Sequence, residues 1–111
     1  MKPSARDITL IEQHTMLAML RLHPNGYGVT IRDEINRRTE RSYSIGSVYT
    51  ALERLQTAGL VEAREGEPTA ERGGRRKTYF TLTATGHRAL EGSLHAIDAM
   101  RRGLAGKEVE A

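Results

Sequence analysis

The chain predicts a mainly α-helical fold carrying one small β-hairpin, and three observations lead there. Apolar residues recur at helical spacing in four separate stretches. The period drops to about two in two short runs rich in branched and aromatic residues, Leu60 to Arg64 and Thr78 to Leu82. Between those runs lies a segment with Pro and Gly in turn-forming number. A length of 111 residues suits one compact domain with a single modest core.

Residues 1–6 read as a polar, basic arm, and Asp7 is placed to cap a first helix running to about Leu22. That helix has two apolar stripes, Leu10, Leu17 and Leu20 on one, and Ile8, Ile11, Thr15 and Ala18 on the other. One small core cannot bury both, so a partner surface is expected here. His23-Pro24-Asn25-Gly26 stops the helix, because Pro disfavours helical geometry in the residue before it and Asn-Gly supports a turn. A second helix starts near Tyr27, with Ile31 and Ile35 one turn apart and Arg32, Asp33, Glu34, Asn36, Arg37 and Arg38 mostly outward.

The stretch from Ser44 to Gly59 organises the rest. Ser44 can cap a third helix by accepting a bond from an orphan amide one turn in, and Val48, Leu52 and Leu55 fall on one face at i, i+4 and i+7. The opposite face carries Ser47, Tyr49, Thr50, Glu53, Arg54 and Thr57, and its first two turns are short and hydroxyl-bearing. Such side chains suit a DNA groove, where base edges and phosphates must be approached closely; an ordinary amphipathic helix with a neutral outer face gives the same pattern. Gly59 can end the helix in a left-handed conformation.

The hairpin follows. Its loop, Glu65 to Lys77, ends in Arg72-Gly73-Gly74-Arg75-Arg76-Lys77, four cations around two glycines. Thr83 can then cap a fourth helix with Gly86 in its first turn. Leu90, Leu94, Ile97 and Leu104 form an apolar seam along that helix, which Arg101 interrupts. Gly103 and Gly106 mark its end.

Composition excludes several functions. With no cysteine there is no disulfide, no thiolate zinc site and no cysteine nucleophile. His14, His23, His87 and His95 lack ligand spacing and read as surface or packing residues, so no metal and no cofactor are expected. Gly73-Gly74 lacks the pattern of a nucleotide-binding loop, and no nucleophile-elbow motif is present, so an enzyme is not expected. No run reaches the roughly 20 apolar residues of a membrane span, and the opening MKPSARD lacks the apolar core of a signal peptide; the expectation is a cytoplasmic protein with no membrane partner. A net charge of +3 permits nucleic-acid binding without requiring it, as does a pI near 9.6.

Three helices followed by a hairpin with a basic tip describe a winged helix-turn-helix domain, spanning about residues 7–82, with residues 83–104 as a dimerisation helix in the same compact unit. The third helix would enter the major groove while the hairpin reaches phosphates or the minor groove. Gly26-Tyr27-Gly28, then Ile45-Gly46-Ser47-Val48-Tyr49 with Leu52, Arg54, Leu55 and Gly59-Leu60-Val61, then Gly74-Arg75-Arg76-Lys77 with Tyr79-Phe80, Leu82-Thr83 and Gly86, together resemble the PadR family of bacterial transcriptional regulators, over about Ile11 to Leu90. The short tail after Leu90 is similar to the small-tailed branch of that family. The resemblance implies a homodimeric repressor on an inverted-repeat operator in double-stranded DNA, with the last helix pairing against the partner subunit.

Carried over by position, Ser47, Tyr49, Thr50 and Arg54 match the recognition face, and Arg72, Arg75, Arg76 and Lys77 match the wing. Ser44 joins the expected DNA contacts as the cap of that helix. Tyr49 suits either a phosphate contact or packing, and the wing cations suit either nucleic acid or solvent. Ile8, Ile11, Leu90, Leu94 and Ile97 are expected at a twofold interface, because two ends of one chain each offer apolar surface. The same interface, around Ile11, Leu94 and Ile97, suits either an empty packed contact, the favoured reading, or a site for an unidentified apolar effector. Some relatives stack flat effectors on interface tryptophans, and this chain has none. The competing reading is a winged-helix protein-interaction module without DNA binding.

Overall fold

The computed structural model describes residues 7–67, 76–104 and 106; the basic arm at residues 1–6 and the wing residues Arg72 and Arg75 lie outside them. The order is α1 (Leu10–Leu22), α2 (Gly28–Thr39), α3 (Ile45–Thr57), β1 (Val61–Glu65), β2 (Thr78–Leu82) and α4 (Ala84–Arg101).

Local chemistry sets most helix ends. The cap of α1 is Thr9 rather than Asp7: the Glu12 amide donates to the Thr9 hydroxyl at 3.2 Å and the Thr9 amide donates to the Glu12 carboxylate at 3.0 Å, a reciprocal pair that Leu10, three residues after Asp7, has no carboxylate to make. Ser44 caps α3 through the Ser47 amide at 3.0 Å, and Thr83 caps α4 through the Gly86 amide at 2.9 Å. Gly59 follows α3 with φ of 78°. The fourth helix stops at Arg101, so Leu104 is not part of its seam; Gly103 turns the chain with φ of 87°.

The core forms where α1, α2 and α3 cross beneath the hairpin. Met16, Met19, Ile31, Val48, Leu52, Leu55 and Leu90 are all at most 1% exposed, and burial of each stabilises the fold by roughly 1.5–3 kcal/mol. Ile8 is also in this core, at 8% exposure. The hairpin is antiparallel, with Val61 opposite Leu82 and Glu65 opposite Thr78, and the Phe80 amide donates to the Gly26 carbonyl at 2.9 Å, which fastens β2 to the turn between α1 and α2.

The start of α4 is seated on the end of the α3–β1 connection. The Thr83 amide donates to the Leu60 carbonyl at 3.0 Å and the Thr83 hydroxyl to the Gly59 carbonyl at 2.8 Å. Any Cβ at residue 86 would overlap the Leu60 carbonyl, so only glycine allows this approach. Past Leu90 the helix leaves the core: Leu94 is half-buried, while Ile97 and Met100 are exposed. No helix among the described residues is long and apolar enough to cross a membrane.

Candidate nucleic-acid interface

The inward face of α3 is fully committed to the core through Val48, Ala51, Leu52 and Leu55. That leaves Gly46, Ser47, Thr50, Glu53, Arg54 and Thr57 exposed together on the outer face. At its N-terminus the Ser44 hydroxyl both accepts from the Ser47 amide and donates to the Ser47 hydroxyl at 2.9 Å. Ser44 is thus a structural cap first, and its pairing orients Ser47. Thr50 lies about one turn on and is exposed.

Tyr49 sits at the flank of this face. It is 47% exposed, and its hydroxyl end lies against the backbone of Gly28, where a Cβ would overlap it. The tyrosine therefore packs and is exposed at once, bridging α3 to the N-terminus of α2, whose amides carry the positive end of the helix dipole.

The wing is braced at its base. The Arg64 guanidinium donates to the Pro24 carbonyl at 2.9 Å and the Asn25 side-chain carbonyl at 3.2 Å, and lies 4.9 Å above the centre of the Tyr79 ring. Tyr79 meets Tyr27 edge to face at 6.0 Å, and the Lys77 ammonium lies 5.2 Å over Tyr27. A residue larger than glycine at 66 would collide with Tyr79. Lys77 is accordingly half-buried at the wing base, rather than at its tip. Arg76 is exposed and pairs with Glu65 at 3.4 Å.

The turn into α3 is held with similar economy. Asn36 of α2 grips Tyr43 from both sides, its amide donating to the Tyr43 carbonyl at 3.0 Å and its oxygen accepting from the Tyr43 amide at 3.0 Å. Glu40, which closes α2, has φ of 60°, a left-handed conformation unusual outside glycine and asparagine.

Residues 16–92 match the transcriptional regulator PadR-like family. The chain belongs to that family. Among solved structures, this PadR-like chain is similar to a transcriptional regulator from Clostridium thermocellum, at 20% identity over 90% of each chain with a TM-score of 0.71. It is also similar to a PadR family regulator from Clostridium difficile, at 20% identity over 87% of this chain and 96% of that one, TM-score 0.69. A PadR-like regulator from Bacillus cereus gives 22% identity over 89% and 94%, TM-score 0.67. No curated protein matches the chain. The winged helix-turn-helix fold is thus that of known PadR-like regulators.

The PadR-like fold brings Ser44, Ser47, Tyr49, Thr50 and Arg54 onto one element, with Arg76 and Lys77 on the neighbouring hairpin. The interface set is not brought together in the same way. Ile8 and Leu90 are used by the protomer's own core, and Ile8 lines a groove of about 470 Å³ together with Ala89 and Ile97 of α4 within one chain. Within one chain, then, Ile8 already lies beside the last helix. Ile11 and Leu94 are half-buried, and Ile97 remains exposed. Arg64, Tyr27 and Tyr79 were not expected to act together; the signal available was the alternation of β1 and β2, which sets Arg64 opposite Tyr79 in register.

Proposed function

We propose that this PadR-like regulator is a homodimeric, sequence-specific DNA-binding repressor that reads an inverted-repeat operator. The observation that carries the reading is the outer face of α3: exposed Ser47, Thr50 and Arg54 on a helix whose other face is fully buried, beside a hairpin bearing cations. A helix so held can enter a major groove, read base edges with short donors, and leave the wing to phosphates.

Dimerisation follows from what the protomer leaves uncovered. Leu10 is 50% exposed, Ile97 44% and Met100 79%, on the two helices that flank the core. A second copy covers these faces isologously, satisfying both protomers by one contact. Two α3 helices related in this way would address major grooves about 34 Å apart or a multiple of it.

A mobility-shift series over salt tests the function. Binding to a duplex selected by the protein from random DNA should weaken steeply with salt and survive competitor DNA. Binding that is equal for every duplex, or absent at low salt, overturns it.

A further inference from the structure

The turn that launches the recognition helix is tied to α1 by one histidine. His14 Nδ1 lies 3.1 Å from the Tyr43 hydroxyl. Tyr43 directly precedes the Ser44 cap, and its backbone is the segment that Asn36 grips. On the same phenol ring, the Arg41 guanidinium lies 5.7 Å from the centroid and the His14 ring 5.9 Å. An imidazole and a guanidinium thus share one aromatic side chain.

We propose that His14 is a positioning residue for the recognition helix, holding Tyr43 and the turn into α3 while its imidazole is neutral and loosening them when it takes up a proton. The proposal rests on the DNA-binding reading above for its functional consequence, though not for the latch itself. Protonation does not delete the hydrogen bond, since an imidazolium can still donate to the phenol oxygen. What it adds is a second positive charge beside Arg41.

Among the described residues, the charged groups around His14 are mostly cationic. From the α2–α3 turn His14 faces Arg41 and Tyr43; in the groove between α1 and α2 it is joined by Arg21 of its own helix and by Glu34 and Arg38 of α2. Among the described residues lining that groove the carboxylate is Glu34, which is already bonded by Arg21, Arg37 and Arg38. Burial, and then Arg41, hold the His14 pKa below its usual 6.5. The sign follows: at neutral pH the latch is intact, and as pH falls below 6.5 the unfolded or unlatched form binds the proton more readily, so the latched form loses ground until its own, lower pKa is passed.

Two measurements test this. In the DNA-free protein, the amide resonances of Tyr43, Ser44 and Ser47 should titrate with the midpoint of the His14 ring, and should be still in His14→Gln, whose amide can reach the phenol without titrating. In the second, anisotropy with a labelled duplex selected at about pH 7.5 should show the dissociation constant rising as pH falls, toward a limit of about tenfold per pH unit for each His14 of the bound assembly, in wild type and not in His14→Gln. The affinity is expressed relative to random duplex, which removes effects of pH common to all DNA. Equal pH slopes in wild type and His14→Gln overturn the proposal, as do turn amides that ignore the His14 midpoint. Failure to select any duplex would sink the DNA reading instead, leaving the amide titration to decide the latch.

Discussion

The hydroxyl of Tyr49 rests on the backbone of Gly28, so α3 and the first turn of α2 touch where a Cβ at residue 28 has no room. Gly28→Ala should push the phenol outward, weakening DNA binding through the misplaced Tyr49 with little change in melting temperature, because the far end of a side chain can swing aside. In a Tyr49→Ala background the same substitution should cost nothing further. Additive losses in that double-mutant cycle would show that Gly28 acts independently of the tyrosine.

Specificity is expected in the hydroxyl face. Thr50→Ala or Ser47→Ala should lower preference for the selected duplex by about 1–3 kcal/mol while leaving affinity for random DNA nearly unchanged. Competition titrations with both DNAs measure it, and parallel losses on the two would count against base readout by α3.

The wing should behave as an electrostatic arm. Replacing Arg75, Arg76 and Lys77 by Ala should weaken all DNA alike and shrink the slope of log K against log salt by about 2.7 if each touches phosphate. The stacking of Lys77 on Tyr27 gives a refinement: Lys77→Ala alone should also lower stability by about 0.5–1 kcal/mol, whereas Arg76→Ala should leave the melt unchanged. A slope unmoved by the triple replacement removes the wing from the interface.

Which elements were legible follows from how local their causes are. Ser44, Gly59 and Thr83 act on amides and carbonyls within one turn, and the sequence alone places them correctly. Asp7 is the cap expected from the sequence, but the reciprocal bonds between Thr9 and Glu12 place the cap two residues later. Periodicity marked Ile8 and Leu90 as apolar but is silent on whether the partner is the same chain, and both turn inward. The clamp of Arg64 on Pro24 and Asn25 joins residues about forty apart, and no local pattern announces it. For the outer face of α3, spacing identified the exposed residues, but the bond between the Ser44 and Ser47 hydroxyls and the Tyr49–Gly28 contact needed three dimensions.

Assembly is best tested at Ile97. Leu94 packs partly against the protomer core, so Leu94→Glu would damage fold and interface together, whereas exposed Ile97→Glu spares the fold. In a dimer the new carboxylate would be buried unpaired, which is unfavourable unless the subunits separate. Sedimentation should give a dimeric wild type and a folded, monomeric variant with weak operator binding. A variant that remains dimeric would move the interface elsewhere.

Acid should act on a second, separate group. Hydrogen bonding from Arg38 first, with Arg37 and Arg21 adding to it against the opposing effect of desolvation, holds the Glu34 carboxyl at about 2. Its stabilising contribution is present above the ordinary value of 4.5 and is lost as pH falls through about 2. Thermal melts across that window should show wild type losing more than Glu34→Gln does. Parallel curves would mean that the ionised Glu34 carboxylate adds nothing to folding through the three arginines.

The glycine under α4 has a geometric effect far from itself. Eighteen residues of helix make a rod about 27 Å long, anchored where Gly86 lies on the Leu60 carbonyl. Tilting that rod by roughly 10° at its seat displaces the far end by about 5 Å, more than the 3.4 Å rise of one base-pair step. In a two-headed assembly joined through the outer part of α4, a bulkier residue at position 86 would thus change the distance between half-sites that the pair can span, making one missing methyl group a ruler for the operator.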